Sequence, residues 1–174
     1  MIFSTAPTLV TWTLIYIVAQ RLGELVYANR NTKRLLAEGG EEFGADHYHW
    51  FIILHSAWLA AIFLMVDPSR PIAPLVLALF VGTQILRVWT LASIGRWWTT
   101  RIISAPYFDR VKRGPYRFIP HPNYFVVVLE IAIVPLMLGL PWVALLFSIL
   151  NAILLRHRIG VENQVLQGRG EPEA

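Results

Sequence analysis

The segment 113–124, with the sequence RGPYRFIPHPNY, combines a turn, a helix start and several basic or donor side chains. Its Gly-Pro pair predicts a turn, and His121 followed by Pro122 predicts a helix start, because proline is favoured at the first helical position. The free N–H groups of a helix start attract carboxylates and phosphates, and Arg117 and His121 add donors beside them. The segment therefore predicts an anion site, while an ordinary helix entry with basic and aromatic anchors at a membrane surface explains the same residues.

A second group of ionisable side chains lies about 40 residues later, in segment 156–162, with the sequence RHRIGVE. An apolar hairpin broken at residues 139–141 separates the two segments, and each arm of about 17 residues is about 25 Å long as a helix. The hairpin therefore returns Arg158 and Glu162 to the membrane surface where His121 lies. Glu162 can hold an ammonium group there, so a zwitterionic ligand finds partners for both charges. The simpler interpretation is an i,i+4 pair between Arg158 and Glu162 on a helix surface.

Glu130 and Arg87 are charged residues inside long apolar stretches. An ionisable group within a membrane is energetically unfavourable and by default indicates function. Glu130 follows His121 by nine residues, about 13 Å along a helix, and could take a proton from a phenolic or enolic substrate. A structural ion pair between Glu130 and Arg87 is the favoured alternative. Arg21 and Glu24 are expected to form a similar i,i+3 pair.

The elements that must position these residues follow from composition and charge distribution. The chain has 174 residues, of which 56% are hydrophobic and 15% charged, and its mean hydropathy is +0.52. Such a composition excludes a disordered tail, a coiled coil and almost any water-soluble enzyme. A membrane-spanning helix needs about 20 apolar residues. We expect one all-α integral membrane domain over 1–174 with about five transmembrane helices, a C-terminal helical hairpin and a short cytosolic tail. The predicted spans are about 7–26, 49–66, 72–94, 121–138 and 141–157.

The basic residues indicate how the chain is oriented. Segments 21–48, 87–117 and 156–174 hold 4, 7 and 3 of the 15 Lys and Arg residues. Because basic loops stay in the cytosol, the N-terminus is expected outside and the C-terminus inside. The net charge of +4 is thus explained by the orientation of the chain in the membrane. A nucleic-acid surface would need basic residues gathered on one soluble face.

Without cysteine or a ligand spacing among the histidines, we expect no disulfide, cysteine nucleophile or metal site. The histidines of 47–55 and the pair Trp97-Trp98 are expected first to be interfacial anchors. The tryptophan pair has a second interpretation, as a wall of a lipid-substrate site.

Four segments resemble a known family. GPYRFIPHPNY in 114–124 and the pattern RxxxExxxL in 158–166 resemble the isoprenylcysteine carboxyl methyltransferase family. RxxE to HY in 21–48 and GRWWTT in 95–100 look more like its small bacterial members. The resemblance implies a membrane enzyme, in a bacterial plasma membrane, that uses S-adenosylmethionine. It also implies that the His-Pro motif and the tail Glu bind this cofactor from the cytosolic side, while a hydrophobic acceptor arrives laterally from the bilayer.

The resemblance also implies roles for individual residues. The residues expected to bind the cofactor are His121, Pro122, Tyr124, Arg158 and Glu162. Arg117 and Glu130, proposed from their own charge and position rather than from the resemblance, are the candidates to orient the acceptor or remove its proton. Two positions depart from the family pattern. Pro120 stands where an Arg usually precedes His-Pro, which removes a guanidinium that Arg117 could replace. Asn163 stands where a second Glu is usual, which leaves Glu162 as the single anionic candidate.

The function implied by the resemblance is methyl transfer to a carboxyl or hydroxyl oxygen of a small lipophilic acceptor, such as a phenol, a pyrone or a carboxylic acid. Because the methyl donor is already activated, positioning and desolvation can supply much of the rate. Membrane lipids and the acceptor are the expected partners, whereas nucleic acid is not, and the sequence does not indicate the oligomeric state.

Two alternatives stay open. An NADPH-dependent membrane reductase of the sterol-reductase type has a related C-terminal half, although the 12 residues after Glu162 hold only Arg169 to bind a 2′-phosphate. A non-catalytic lipid-binding membrane protein is compatible with Pro120 and Asn163 as signs of lost activity.

Overall fold

The computed structural model describes residues 8–167, which form five α-helices and two short strands. The helices are α1 (Leu9–Ala37), α2 (Ala45–Met65), α3 (Pro74–Ile94), α4 (Pro122–Met137) and α5 (Pro141–Gln167). Four of them, α1, α2, α3 and α5, are long and apolar enough to cross a membrane. The fifth, α4, has 16 residues and is about 24 Å long at 1.5 Å per residue. The predicted all-α membrane architecture with a C-terminal helical hairpin is confirmed.

Two helices extend further than the apolar pattern predicts. The first span was expected to end near residue 26, but α1 continues to Ala37, so Arg21 and Glu24 lie in its middle. The last span was expected to end near residue 157, but α5 continues to Gln167 as one helix of 27 residues, so the described part of the predicted tail from residue 156 is helical. Apolar content marks only the part of a helix within the membrane, and charged residues of good helix propensity extend the same helix into water. The rest of the predicted tail, 168–174, lies outside the described residues.

Proline and glycine set the helix boundaries. Proline begins α3, α4 and α5, where its missing N–H leaves no hydrogen bond unmade. Gly139 has a φ of 75°, a left-handed conformation that glycine adopts without strain, and it closes α4. The N–H of Leu140 then donates to the carbonyl of Pro135 at 2.8 Å, which tightens the turn into Pro141. The predicted Gly-Leu-Pro hairpin is therefore present.

The helices pack around α4. It packs against both α3 and α5, and α2 packs against α5. The apolar core draws one or more buried side chains from every helix, among them Ile17, Trp58, Phe80, Val134 and Phe147. Because α4 and α5 form a hairpin, the start of α4 and the final turns of α5 lie at the same end of the bundle, next to the loop between α3 and α4.

The charges within the membrane form one cluster around Glu130. Its Oε1 accepts hydrogen bonds from Arg87 Nε at 2.7 Å and from Gln84 Nε2 at 3.0 Å, and its Oε2 accepts from both Arg21 and Arg87. Glu24 accepts from Arg21 at 3.0 Å and from Arg87 at 3.1 Å. Two guanidinium groups therefore balance two carboxylates, as burial in an apolar medium requires. The predicted structural pairs Glu130–Arg87 and Arg21–Glu24 are confirmed.

A small antiparallel sheet, which the sequence did not predict, ties the loops together. Strand β1 (Glu41–Phe43) pairs with β2 (Ile102–Ser104), with Glu42 opposite Ile103. Beside it, Arg101 donates to Glu42 at 2.8 Å, and this hydrogen bond raises the pKa of Arg101. The sheet fixes the loop between α3 and α4 over the ends of the helices, where it covers the site described next.

Candidate functional site

His121 and Glu162 meet at the start of α4, as predicted from the hairpin. His121 precedes the first helical residue, Pro122, and its carbonyl accepts the N–H of Tyr124 at 3.1 Å. Its Nδ1 lies 3.6 Å from Glu162 Oε2, and its Nε2 lies 2.8 Å from Asn163 Oδ1. An amide oxygen only accepts hydrogen bonds, so Nε2 carries a proton here. Asn163 is thus a partner that orients the imidazole, and not simply a missing carboxylate.

Tyr124 joins Arg158 to Glu162. The Tyr124 hydroxyl donates to Glu162 Oε2 and accepts from Arg158 Nε at 2.8 Å. Arg158 is 6% exposed, and its Nη2 also donates to the carbonyl of Thr100 at 2.8 Å. The simpler interpretation of a direct Arg158–Glu162 pair is therefore wrong, because the tyrosine stands between them. The bridge holds both charges in fixed positions.

A cavity of about 130 Å³, here called the loop-side cavity, lies between the loop after α3 and the ends of α4 and α5. Its walls carry charges of both signs, from Arg101, Asp109, Arg110, Arg158 and Glu162, together with His121. Tyr116 also lines it, and its buried hydroxyl has no hydrogen-bond partner among the described residues. Burial raises the pKa of Tyr116, so this hydroxyl stays protonated and can donate to a ligand. The chemistry of this cavity suits a zwitterion.

A second cavity of about 270 Å³, here called the membrane-side cavity, lies between the helices. Most of its wall is apolar and includes Phe51, Leu59, Val127 and Leu155. Two other lining residues, Leu25 of α1 and Ile52 of α2, are 44% and 52% exposed on the outer face of the bundle. The cavity is therefore open toward the bilayer between α1 and α2. The polar side chains that line it include those of Arg21, Glu24, His55, Ser56 and Arg87.

The two cavities share one wall, which is made by Trp98, Thr99, Asn123, Tyr124 and Arg158. Trp98 is 5% exposed, its Nε1 donates to Asn123 Oδ1 at 3.3 Å, and its ring stacks on Tyr27. The expectation that Trp98 is an interfacial anchor is therefore wrong, and its secondary interpretation as a wall of the substrate site agrees with this position. A polar cavity and an apolar cavity thus meet across a few side chains.

The predicted site residues divide into two groups. The structure brings together His121, Tyr124, Arg158 and Glu162, and it buries Pro122 at the helix start beside them. Arg117 is exposed and lines neither cavity, so it does not replace the guanidinium absent at Pro120. Glu130 is 3% exposed, binds the two arginines of the intramembrane cluster, and lines neither cavity. Among residues 8–167, no three His, Cys, Asp or Glu side chains form a group that could hold a metal ion.

Sequence reasoning missed several residues of the site. Tyr116 and Asn123 lie within the recognised motif, and only their neighbours drew attention. Thr99 is far from it in sequence, and the loop that carries this residue is placed by the unpredicted sheet. The polar side chain of Asn123, between Pro122 and Tyr124 in the motif, was the available signal.

Comparison with known proteins identifies related sequences. The isoprenylcysteine carboxyl methyltransferase (ICMT) family matches residues 76–168, which include most of α3 and all of α4 and α5. The chain is 38% identical over 161 residues to the uncharacterized protein YpbQ of Bacillus subtilis (strain 168), a match that covers 90% of this chain and 96% of that protein. No solved structure matches the chain.

Proposed function

We propose that this chain uses S-adenosylmethionine to methylate an oxygen of a small lipophilic acceptor. The chain belongs to the isoprenylcysteine carboxyl methyltransferase family and is accordingly an integral membrane protein of methyltransferase type. The observation that carries the proposal is the shared wall between a charged cavity facing the loops and an apolar cavity open to the bilayer. A methyl group passed across that wall moves from a polar donor to a lipophilic acceptor.

The charged groups of the loop-side cavity fit the amino-acid part of S-adenosylmethionine. Glu162 is the partner for its ammonium group, and Arg158 and Arg101 are partners for its carboxylate. The His121 ring lines the cavity between these charges, and the hydrogen bond from its Nε2 to Asn163 fixes its orientation. Charge-assisted hydrogen bonds of this kind are the strong ones, so a few of them can fix the orientation of a ligand.

The membrane-side cavity suits the acceptor. Its apolar wall can hold an alkyl or isoprenoid chain, and its opening between Leu25 and Ile52 gives access from the bilayer without passage through water. The shared wall then positions the acceptor head group. The occupants we propose are membrane-soluble molecules that carry a hydroxyl or carboxyl group near one end.

The side chains of the wall contribute positioning and exclusion of water. S-adenosylmethionine, when bound, supplies a methyl group already activated on a sulfonium. Tyr124 holds Arg158 and Glu162 in place, and the buried Trp98 ring keeps water out of the space between the cavities. Orientation of two reactants in a water-free site is a large source of rate enhancement. No nucleophilic side chain is needed.

We further propose that the site faces the cytosol of a bacterial cell. The Lys and Arg residues gather in the segments that flank the loop-side cavity, and the positive-inside rule favours a cytosolic position for such loops. The similarity to a Bacillus protein supports the bacterial plasma membrane.

The experiment that tests the proposal follows a labelled methyl group. Purified protein in detergent is incubated with S-adenosylmethionine labelled on the methyl group and with a bacterial total lipid extract, and the lipids are searched for a mass increase of about 14 Da. We expect a labelled lipid with the wild-type protein and with Glu41→Ala, an exposed carboxylate outside both cavities, and none with Glu162→Ala. NADPH binding without S-adenosylmethionine binding would favour a reductase. Cofactor binding without turnover would favour a lipid-binding protein.

A further inference from the structure

His55 of α2 lines the membrane-side cavity with one ring nitrogen free. Its Nδ1 lies 2.8 Å from the carbonyl oxygen of Phe51, one turn earlier in the helix. A carbonyl oxygen only accepts hydrogen bonds, so Nδ1 carries the proton of the neutral ring, and Nε2 keeps its lone pair. No described residue donates a hydrogen bond to Nε2. The helix backbone thus fixes the tautomer in which His55 is a base toward the cavity.

The position of His55 relates it to the shared wall. The Phe51 ring lies 5.1 Å from the guanidinium carbon of Arg158, which belongs to that wall. His55 follows Phe51 by four residues, about 6 Å along the helix axis. Tyr124, Arg158 and His55 line the same cavity, so an acceptor head group within it can contact both the shared wall and the His55 ring.

The other ionisable groups of this cavity are already engaged. Glu24 accepts hydrogen bonds from two arginines, and the Tyr48 hydroxyl is 2.9 Å from Thr100 Oγ1. Glu130, which was the predicted proton acceptor, accepts hydrogen bonds from Arg21 and Arg87 and does not line the cavity. The charged and titratable groups that line the cavity from all packed elements are Arg21, Glu24, Tyr48, His55, Arg87, Tyr124 and Arg158. Within the described lining, His55 is the group that has an unused basic lone pair.

We propose that His55 is the general base of methyl transfer, an inference that rests on the proposed function. The acceptor hydroxyl oxygen forms a bond to the methyl carbon of the sulfonium donor, and the carbon–sulfur bond breaks with its electron pair left on sulfur. The hydroxyl proton passes to His55 Nε2 and gives an imidazolium, which returns the proton to water after the product leaves. A base is needed for a phenol or enol, whose pKa exceeds that of a carboxylic acid, which is ionised without help at neutral pH. The acceptor is therefore a weakly acidic hydroxyl compound.

The test replaces His55 with asparagine. The amide nitrogen of His55→Asn can still donate to the Phe51 carbonyl, but the basic nitrogen is lost, so the helix is kept while the base is removed. The matched control is His49→Asn, an exposed histidine of the same helix that lines neither cavity. The probes are 4-dodecylphenol, its more acidic 2,6-difluoro derivative and palmitic acid, each assayed from pH 6 to pH 10 with labelled S-adenosylmethionine.

We expect His55→Asn to methylate 4-dodecylphenol about 100-fold more slowly than the wild-type protein at pH 7, the lower end of the range for general-base catalysis. Its rate should rise with pH as the phenol ionises, and its deficit should be smaller on the difluorophenol. Binding of S-adenosylmethionine should be unchanged in both variants. A second readout needs no turnover: nitrogen-15 NMR of histidine-labelled protein, assigned with His55→Asn, should give the tautomer protonated on Nδ1.

The possible failures are distinguishable. If the wild-type protein does not bind S-adenosylmethionine, the proposed function fails. If it binds this molecule but His55→Asn is as active as His49→Asn, or the NMR signals give an Nε2-protonated ring, only the role of His55 is overturned. A third outcome concerns the acceptor. If the protein binds the cofactor but methylates palmitic acid and neither phenol, or methylates none of the three probes, the assigned acceptor class is overturned.

Discussion

Replacement of Tyr124 by phenylalanine removes a single hydroxyl from the centre of the site. That hydroxyl donates to Glu162 and accepts from Arg158 Nε at 2.8 Å, and the ring around it belongs to the shared wall of the two cavities. Phenylalanine keeps the ring and its packing, so the change isolates the two hydrogen bonds.

The expected effect follows from the charges involved. A hydrogen bond to a charged group contributes about 1.5 kcal/mol or more to stability, so the loss of both lowers the free energy of unfolding by about 3 kcal/mol. Arg158 and Glu162 are four residues apart on α5 and can then pair directly, which recovers about 0.5 kcal/mol. We therefore expect Tyr124→Phe to lower the free energy of unfolding by about 2.5 kcal/mol.

The assay is unfolding of the purified protein by sodium dodecyl sulfate in mixed micelles, followed by circular dichroism. The matched control is Tyr107→Phe, because that exposed hydroxyl makes one hydrogen bond to the backbone, to the Glu38 carbonyl at 2.6 Å, and lies outside both cavities. We expect the control to lose less than about 1 kcal/mol. Equal losses in the two variants would refute the bridging role of Tyr124.

Three further predictions concern other parts of the chain. Tyr116→Phe should stabilise the ligand-free protein by about 1 kcal/mol, because it removes a buried hydroxyl without a partner. Burial raises the pKa of Tyr116 in the folded protein. Ionisation of this tyrosine therefore favours the unfolded chain above the unfolded pKa of about 10. The difference in the free energy of unfolding between Tyr116→Phe and the wild-type protein should accordingly grow at higher pH. Glu130→Gln should lower the free energy of unfolding by about 3 kcal/mol or more, because Arg87 loses a buried counter-charge; wild-type stability with lost turnover would instead indicate a catalytic Glu130. Single cysteines placed at Ser69 and Arg110 of this cysteine-free chain should react with an impermeant maleimide from outside at Ser69 alone, and the reverse pattern would contradict the proposed orientation.

The sequence was sufficient for the architecture and for the pairing of the two motif segments. Apolar stretches located the helices, and the Gly139 turn required that Glu162 return to His121, as the 3.6 Å separation bears out. These features depend on local pattern and on helix geometry, both of which can be read from residue types and spacing. The balanced pair of Glu130 and Arg87 was likewise predictable, because an unpaired charge is strongly unfavourable in a membrane.

Other features depend on contacts between distant segments. The three-residue strands β1 and β2 are too short for a periodic pattern, yet their pairing positions the loop that carries Trp98. The Tyr124 bridge arises because its side chain projects between Arg158 and Glu162, which spacing alone suggested were partners. The sequence drew attention to Glu130 as a base because it is a lone carboxylate in an apolar stretch. Three-dimensional packing engages it fully and leaves His55 free.

Calorimetric titration of the purified protein with S-adenosylmethionine and with its demethylated product tests the central claim most directly. We predict saturable binding of both, weakened at least tenfold by His121→Ala and by Glu162→Ala and unchanged by Glu41→Ala, whose carboxylate is exposed outside both cavities. The absence of binding to the wild-type protein, or equal affinity in all three variants, would contradict the assignment of the loop-side cavity to this cofactor.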